Sequence, residues 1–86
     1  MCPHDYFPLL RLRVVADGDP AAICVVIQHF QNSNVVPRRV GAEFGIDNRV
    51  HIEVDICGMP EEQLRLIAGK IGQSPCIHHA YWHHLP

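Results

Sequence analysis

Apolar and polar residues alternate along two stretches of the chain, with the period of two that is typical of half-buried β-strands. In residues 9–16, Arg11 and Arg13 lie on one face, and the apolar face consists of Leu10, Leu12, Val14 and Ala16. Residues 49–57 show the cleanest alternation, and their apolar face consists of Val50, Ile52, Val54 and Ile56. The pattern predicts a first strand with one buried face and a third strand at the centre of the sheet.

Two other segments repeat apolar residues every three or four positions, which predicts amphipathic helices. The first helix should begin at Asp19-Pro20, because aspartate accepts a hydrogen bond at the N-cap and proline suits the first helical position. It should end after about 13 residues, where Asn34 can adopt a left-handed conformation. The second helix falls within residues 59–72. The two apolar stripes are Ile23, Val26, Ile27 and Phe30 in the first helix, and Leu64, Ile67, Ala68 and Ile71 in the second.

The remaining two strands are predicted at residues 35–44 and 75–84. Pro37 cannot donate a hydrogen bond to a neighbouring strand, so the second strand belongs at an edge of the sheet, and Gly41 suggests a β-bulge within it. In the fourth strand we expect Ile77 to point inward and the last residues to leave the sheet.

The predicted order of elements is strand, helix, strand, strand, helix, strand. Both helix stripes need the same face of the sheet, so the fold class is α+β: a ferredoxin-like βαββαβ sandwich with a four-stranded antiparallel sheet and two helices on one face. From the right-handed crossover rule we expect the first and third strands at the centre as parallel neighbours, with the second and fourth at the edges. A chain of 86 residues has room for one core, which predicts a single domain over residues 1–86 with its core at about residues 9–83.

The composition excludes several classes of protein. Apolar residues make up 48% and charged residues 19%, which is typical of a globular protein. A net charge of −2 argues against a nucleic-acid-binding surface. The sequence shows neither a signal peptide nor an apolar stretch of about 18 residues, so we expect no membrane association and a cytoplasmic location. The four cysteines include no CxxC spacing, and we expect them to be reduced.

The sheet face that the helices leave uncovered is predicted to carry charged residues on three strands. They are Arg11 and Arg13 on the first strand, Arg39 and Glu43 on the second, and His51, Glu53 and Asp55 on the third. Opposite charges on neighbouring strands favour ion pairs worth about 0.2–1 kcal/mol each. RNA-recognition modules display aromatic residues at such positions, and no nucleophile, base or carboxylate pair is tied to an identifiable pocket. We therefore predict that the protein is not an enzyme, needs no cofactor and does not bind RNA.

The C-terminal residues 76–86, CIHHAYWHHLP, contain four of the seven histidines. In a strand, successive side chains point to opposite faces and residues four apart are separated by about 13 Å. Zinc needs ligands about 2 Å from one ion, so a strand disperses these imidazoles and no metal site is predicted. Tyr81 and Trp82 are predicted to anchor an interface, which the flanking histidines would weaken as they become charged between about pH 7 and 6.

Two segments carry a resemblance to a known family: ADGDPAAICVVIQHFQNSNVVPRRVGAEF and RVHIEVDICGMPEEQLRLIAGKIGQ. In this order of elements they resemble an ACT domain, the small-ligand module that regulates amino-acid metabolism. Within that group the chain is most similar, over about residues 9–79, to the small regulatory subunits of acetolactate synthase. The resemblance implies an ACT-like homodimer in which two sheets join through edge strands, and docking on a catalytic subunit. It also implies an effector amino acid bound between the loop after the first strand of one chain and the start of the second strand of the other.

The residues that correspond to this effector site are Asp17, Gly18, Asp19, Ala21 and Ala22 on one side and Val35, Val36 and Pro37 on the other. A helix N-terminus is suited to a carboxylate because of its N–H groups and its dipole. The loop departs from the family pattern, in which an Asn and a Gly stand where this chain has Gly18 and Ala21. Pro20 also removes one N–H donor, and the two aspartates place negative charge near a bound carboxylate.

Three functions remain open at this point. The first is a non-catalytic regulatory subunit or domain for an enzyme of branched-chain amino-acid biosynthesis. The second is a stand-alone amino-acid-sensing module. The third is a His-rich metal-binding protein built on the terminal histidines.

Overall fold

The computed structural model of the protein describes residues 9–86, which form six elements in the predicted order. They are β1 (Leu10–Asp17), α1 (Pro20–Asn32), β2 (Arg39–Phe44), β3 (Arg49–Ile56), α2 (Glu61–Gly72) and β4 (Ile77–His84). The four strands form one sheet, and the predicted ferredoxin-like βαββαβ fold class is confirmed.

The sheet has the strand order β2-β3-β1-β4, so the predicted central and edge strands are also confirmed. The prediction that β1 and β3 are parallel is wrong, because the two strands are antiparallel, with register from Leu10 opposite Ile56 to Asp17 opposite Arg49. The crossover rule applies to strands that a helix connects, here β1 with β2 and β3 with β4. Each of these pairs is separated by one strand that runs the opposite way.

The hydrophobic core lies between one face of the sheet and the two helices. Alternate residues of β1 and β3 are buried as predicted, and so is the predicted stripe of α2. The buried face of α1 is rotated from the predicted stripe, because Ile23 and Ile27 are only partly buried. Its fully buried residues are Ala22, Val26 and Phe30. One side of α1 therefore remains in contact with solvent.

Both ends of α1 follow the predicted capping chemistry. The Asp19 carboxylate accepts a hydrogen bond from the Ala21 N–H at 2.9 Å, and Pro20 occupies the first helical position. At the other end Asn34 has a φ of 55°, and the Val35 N–H donates to the Phe30 carbonyl at 3.0 Å. This cap uses Val35, which the sequence pattern assigned to the second strand, and β2 begins only at Arg39.

Among residues 9–86 the strand pairing shows one irregularity, and it does not lie at Gly41. The β2–β3 register runs without a shift from Arg39 opposite Asp55 to Phe44 opposite Val50, so the predicted bulge in β2 is wrong. A Cβ at Gly41 would lie 3.3 Å from the Arg39 guanidinium, so the glycine makes room for that side chain. The register shifts instead between β1 and β4, where His78 has no partner in β1.

The last strand ends two residues before Pro86, at His84. His84 is still opposite Leu10, and the Leu85 N–H donates to the Leu9 carbonyl at 2.9 Å. Leu85 and Pro86 lie outside the strand as expected, and the Leu85 hydrogen bond satisfies one further backbone group.

The structure bears on two predictions, that the cysteines are reduced and that the protein does not associate with a membrane. Cys57 is disulfide-bonded, so the expectation of reduced cysteines is wrong for this residue, whereas Cys24 and Cys76 are free thiols. Within residues 9–86, no helix has the length and apolar character needed to cross a membrane. A cytoplasmic location stays a prediction.

Candidate functional site

The loop predicted to hold an effector lies between β1 and α1 and is tied to distant parts of the chain. The Asp17 N–H donates to the Cys76 carbonyl at 2.9 Å, and the Asp17 carboxylate lies 2.8 Å from Nε2 of His78. The Gly18 N–H donates to the Asn48 carbonyl at 3.0 Å. A Cβ on Gly18 would lie 2.8 Å from that carbonyl oxygen, so this close approach requires glycine.

The N–H groups at the start of α1 are already engaged by the loop itself. Asp19 donates to the Asp17 carbonyl at 2.7 Å, and Ala22 donates to the Asp19 carbonyl at 2.9 Å. The Ala21 N–H donates to the Asp19 carboxylate, and Pro20 has no N–H. A ligand carboxylate would have to displace the Asp19 side chain to reach these donors.

The second part of the predicted effector site, Val35 to Pro37, lies at the opposite end of α1. Val35 packs against the core, whereas Val36 is 88% exposed. The helix has 13 residues and so separates the two parts by about 20 Å. One chain does not bring them together, and the implied site needs a second chain to supply one half. The assignment of these residues to an effector stays a prediction.

Charged residues on the open face of the sheet form a connected cluster. Arg11 donates two hydrogen bonds to Asp55, from Nε at 2.7 Å and from Nη2 at 3.1 Å. Glu53 contacts Arg13 at 3.1 Å and Arg39 at 3.5 Å. The predicted cross-strand ion pairs are therefore present. The hydrogen bonds from Arg11 hold the pKa of Asp55 below its ordinary value, against the opposing effect of burial.

A shallow cleft of about 510 Å³ lies on this open face. Its lining residues are Arg13, Arg39, Gly41, Ala42, Glu43, His51 and Glu53. The two arginines point to the same carboxylate, Glu53, so most of the charge in the cleft is neutralised from within. The arrangement is that of a solvated ion-pair cluster that orders the face of the sheet.

The β2 strand and the segments that flank it carry exposed apolar residues that the sequence pattern did not reveal. Val36, Val40, Phe44 and Ile46 are 88%, 42%, 52% and 109% exposed. Val40 and Phe44 have the inward parity of the strand, opposite buried residues of β3, but neither is buried. The sequence did contain one indication of this exposure, namely the number of helices. Two helices on four strands leave an edge strand poorly covered. Val36, Val40, Phe44 and Ile46 together form the set of exposed residues that we call the β2 surface.

The terminal histidines are dispersed, and two of them contact carboxylates of other elements. His78 bonds to Asp17, and Nε2 of His84 lies 2.9 Å from the Glu61 carboxylate. Trp82 is partly buried against the core, and its ring meets that of His84 edge to face at 6.2 Å. Within the described part of the chain, no three His, Cys, Asp or Glu side chains are grouped closely enough to hold a metal ion.

Comparison with known proteins identifies the fold but no family. No protein-family model matches the sequence, and no curated protein matches it. The chain is similar in structure to the C-terminal domain of the MgtC protein from Mycobacterium tuberculosis, with a TM-score of 0.73 at 11% identity over 92% of this chain and 88% of that one. It is also similar to the uncharacterized protein TM1266 from Thermotoga maritima, with a TM-score of 0.70 at 16% identity over 93% of this chain and 99% of that one.

A third similar structure is a homoserine dehydrogenase from Thiobacillus denitrificans, with a TM-score of 0.76 at 14% identity. The match covers 93% of this chain but only 18% of the dehydrogenase chain. Identities this low establish the fold alone. The chain shares an ACT-like fold with these structures.

Proposed function

We propose that this protein is a non-catalytic, ACT-type regulatory subunit or domain that forms a homodimer through β2 and docks on a catalytic partner. The observation that carries the proposal is the β2 surface, four exposed apolar residues on and beside a strand at the edge of the sheet. Monomeric proteins protect such edges with charges, bulges or a covering element. Here β2 has a regular register without a bulge, and it exposes Val40 and Phe44 beside the charged residues Arg39 and Glu43.

Pairing of two β2 strands would satisfy both requirements of this edge. Their outward N–H and C=O groups would bond across the new junction, and the two sheets would become one. Val40 and Phe44 are four residues apart and therefore lie on the same face of the strand, so the same pairing would cover both. Burial of this apolar area supplies the main favourable free energy of association.

Regulation by docking is better supported than amino-acid sensing by a single chain. The donors at the start of α1 are engaged within the loop, and the two parts of the implied effector site lie at opposite ends of that helix. A small amino-acid effector is compatible with the proposal only at the junction of two chains. The homoserine dehydrogenase match supports the idea that a module of this fold can operate beside a catalytic unit, because it covers only a fraction of that enzyme's chain.

We further propose, from the sequence resemblance, that the catalytic partner is an acetolactate synthase of branched-chain amino-acid biosynthesis. We expect the added chain to co-elute with the catalytic subunit and to raise its activity, because regulatory subunits act by binding. The measurement is the rate of acetolactate formation with increasing regulatory chain. If micromolar chain neither binds nor changes that rate, this partner is wrong, while dimerisation through β2 is judged separately.

The dimer itself has a direct test in Phe44→Lys. Phe44 is 52% exposed, so the substitution should leave the fold intact and place a charge in the proposed junction. We expect the dimer dissociation constant to rise at least tenfold, equivalent to about 1.4 kcal/mol, measured by sedimentation velocity in EDTA.

The control for this test is Leu66→Lys, because Leu66 is 61% exposed on α2, away from the edge strand. That variant should dimerise like the wild type. A wild-type chain that stays monomeric at high micromolar concentration, or equal effects of the two substitutions, would contradict dimerisation through β2.

A further inference from the structure

The β4 strand has a symmetric arrangement of histidines at the edge opposite β2. Residues 78–84 read His-His-Ala-Tyr-Trp-His-His, so the histidine positions are symmetric about Tyr81. The strand has eight residues and lies at one end of the sheet. A sequence that is symmetric about its centre presents the same side chains to an antiparallel copy of itself, which is the condition for a two-fold interface.

Three of the β4 side chains share the open face of the sheet. In the register with β1, His79 is opposite Val15, Tyr81 opposite Arg13 and His83 opposite Arg11. All three are exposed, Tyr81 by 50%.

The neighbouring positive charges of β1 are directed elsewhere. Arg11 donates to Asp55 and Arg13 contacts Glu53, both of them on β3, the neighbour of β1 on the side away from β4. The two imidazoles therefore lie on a strip of the open face where the arginine charges are already paired.

We propose that β4 pairs with the β4 strand of a second copy about an axis at Tyr81, and that each of the two pairs formed by His79 and the partner's His83 on the open face binds a Zn²⁺ ion. In this register His79 lies opposite the partner's His83, and His83 lies opposite the partner's His79. Directly opposed residues of antiparallel strands have Cβ atoms about 4.5–5.5 Å apart. Imidazole nitrogens on two such residues can both reach about 2.0–2.1 Å from one zinc ion.

The interface that this pairing creates is complementary beyond the histidines. On the opposite face of the strand, Ala80 would lie against the partner's Trp82, so a small side chain meets a large one on each side of the axis. Each ion would have two imidazole ligands and water in its other positions. The site is incomplete in one chain, in accord with the dispersed histidines of the described residues.

This inference does not rest on the proposed β2 dimer, because the two edges are at opposite ends of the sheet. If both interfaces form, zinc joins β2-linked dimers into longer assemblies. If the β2 dimer does not form, zinc converts monomers into dimers. The oligomeric state in EDTA therefore tests the β2 interface. The change in oligomeric state on addition of zinc tests the β4 interface.

The experiment uses the untagged full-length chain in sedimentation velocity, first in EDTA and then with Zn²⁺ at up to two equivalents. We expect the mean mass to rise at least twofold with zinc, to return to its starting value in excess EDTA, and to saturate near one bound ion per chain by calorimetry. His79→Ala and His83→Ala should each abolish the change, because every site needs one residue of each kind.

Mixing these two variants gives the sharpest test. A mixed pair restores one site, in which His79 of one chain meets His83 of the other, so an equimolar mixture should recover zinc-dependent association with about half an ion per chain. His51→Ala, an exposed histidine on β3, is the control and should behave like the wild type. A wild-type mass that does not respond to zinc, zinc-dependent association in either single variant, or a mixture that fails to recover would overturn the proposal.

Discussion

Phe30→Ala is expected to lower the free energy of unfolding by about 3–5 kcal/mol. Phe30 is 1% exposed and is the largest fully buried side chain in the described core. Its removal takes away the transfer free energy of an aromatic ring and leaves a cavity beneath the C-terminal half of α1. Domains of this size have only about 5–15 kcal/mol of stability in total. The measurement is urea unfolding followed by circular dichroism.

Two further variants separate the loss of packing from a general effect of the substitution. Phe30→Leu keeps most of the volume and should lose about 1–1.5 kcal/mol. Phe44→Ala removes the same ring from an exposed site and should change stability by less than about 1 kcal/mol in dilute protein, where β2 pairing is absent. Similar losses for Phe30→Ala and Phe44→Ala would show that the core does not lie where the structure places it.

The parts of the fold that the sequence predicts well are those decided by neighbouring residues. The period of two in β3 and the stripe of α2 identify their buried faces, because burial selects apolar residues at the spacing of each element. The cap at Asp19 and the left-handed Asn34 are also local, since each depends on one side chain and its own backbone.

The parts that the sequence does not predict depend on contacts between distant segments. The register shift at His78 arises where β4 pairs with β1, and neither strand contains a glycine or proline that would indicate it. The exposure of Val40 and Phe44 depends on which strands the helices cover. The sequence pattern of an apolar residue with inward parity is the same whether or not a helix covers that residue.

The candidate effector loop shows the same division. Sequence reasoning located the loop and its cap, but the backbone bond from Gly18 to Asn48 and the contact between Asp17 and His78 join residues far apart in the chain. These contacts decide whether the donors of the loop are free. Resemblance to a family therefore predicts the position of a candidate site but not the hydrogen bonding of its donors.

Asp55→Ala is expected to lower the free energy of unfolding by about 2–3 kcal/mol at pH 7. Asp55 is 6% exposed, and its carboxylate accepts both hydrogen bonds from Arg11. Without it, Arg11 loses its main partner and Arg39 loses a contact at 3.6 Å. The value is set below that of a fully buried ion pair because solvent reaches one side of the cluster.

The contribution of Asp55 should also depend on pH in a defined direction. Hydrogen bonds from Arg11 lower the pKa of Asp55 in the folded state, so the folded protein favours the ionised carboxylate. The stabilisation is fully present above the unfolded-state value of about 3.9. It is lost as the pH falls through the lowered pKa of the folded state. The difference in stability between wild type and Asp55→Ala should therefore be constant near neutrality and shrink below about pH 4.

Glu43→Ala provides the matched control for this pH dependence. Glu43 lies on the same open face, is exposed, and makes no ion pair among residues 9–86, so its loss should change stability by less than about 0.5 kcal/mol at any pH. If Asp55→Ala were no more destabilising than Glu43→Ala, the open face would be a set of independent solvated charges. A larger loss that fades in acid would instead establish that Asp55 and Arg11 hold β1 and β3 in register.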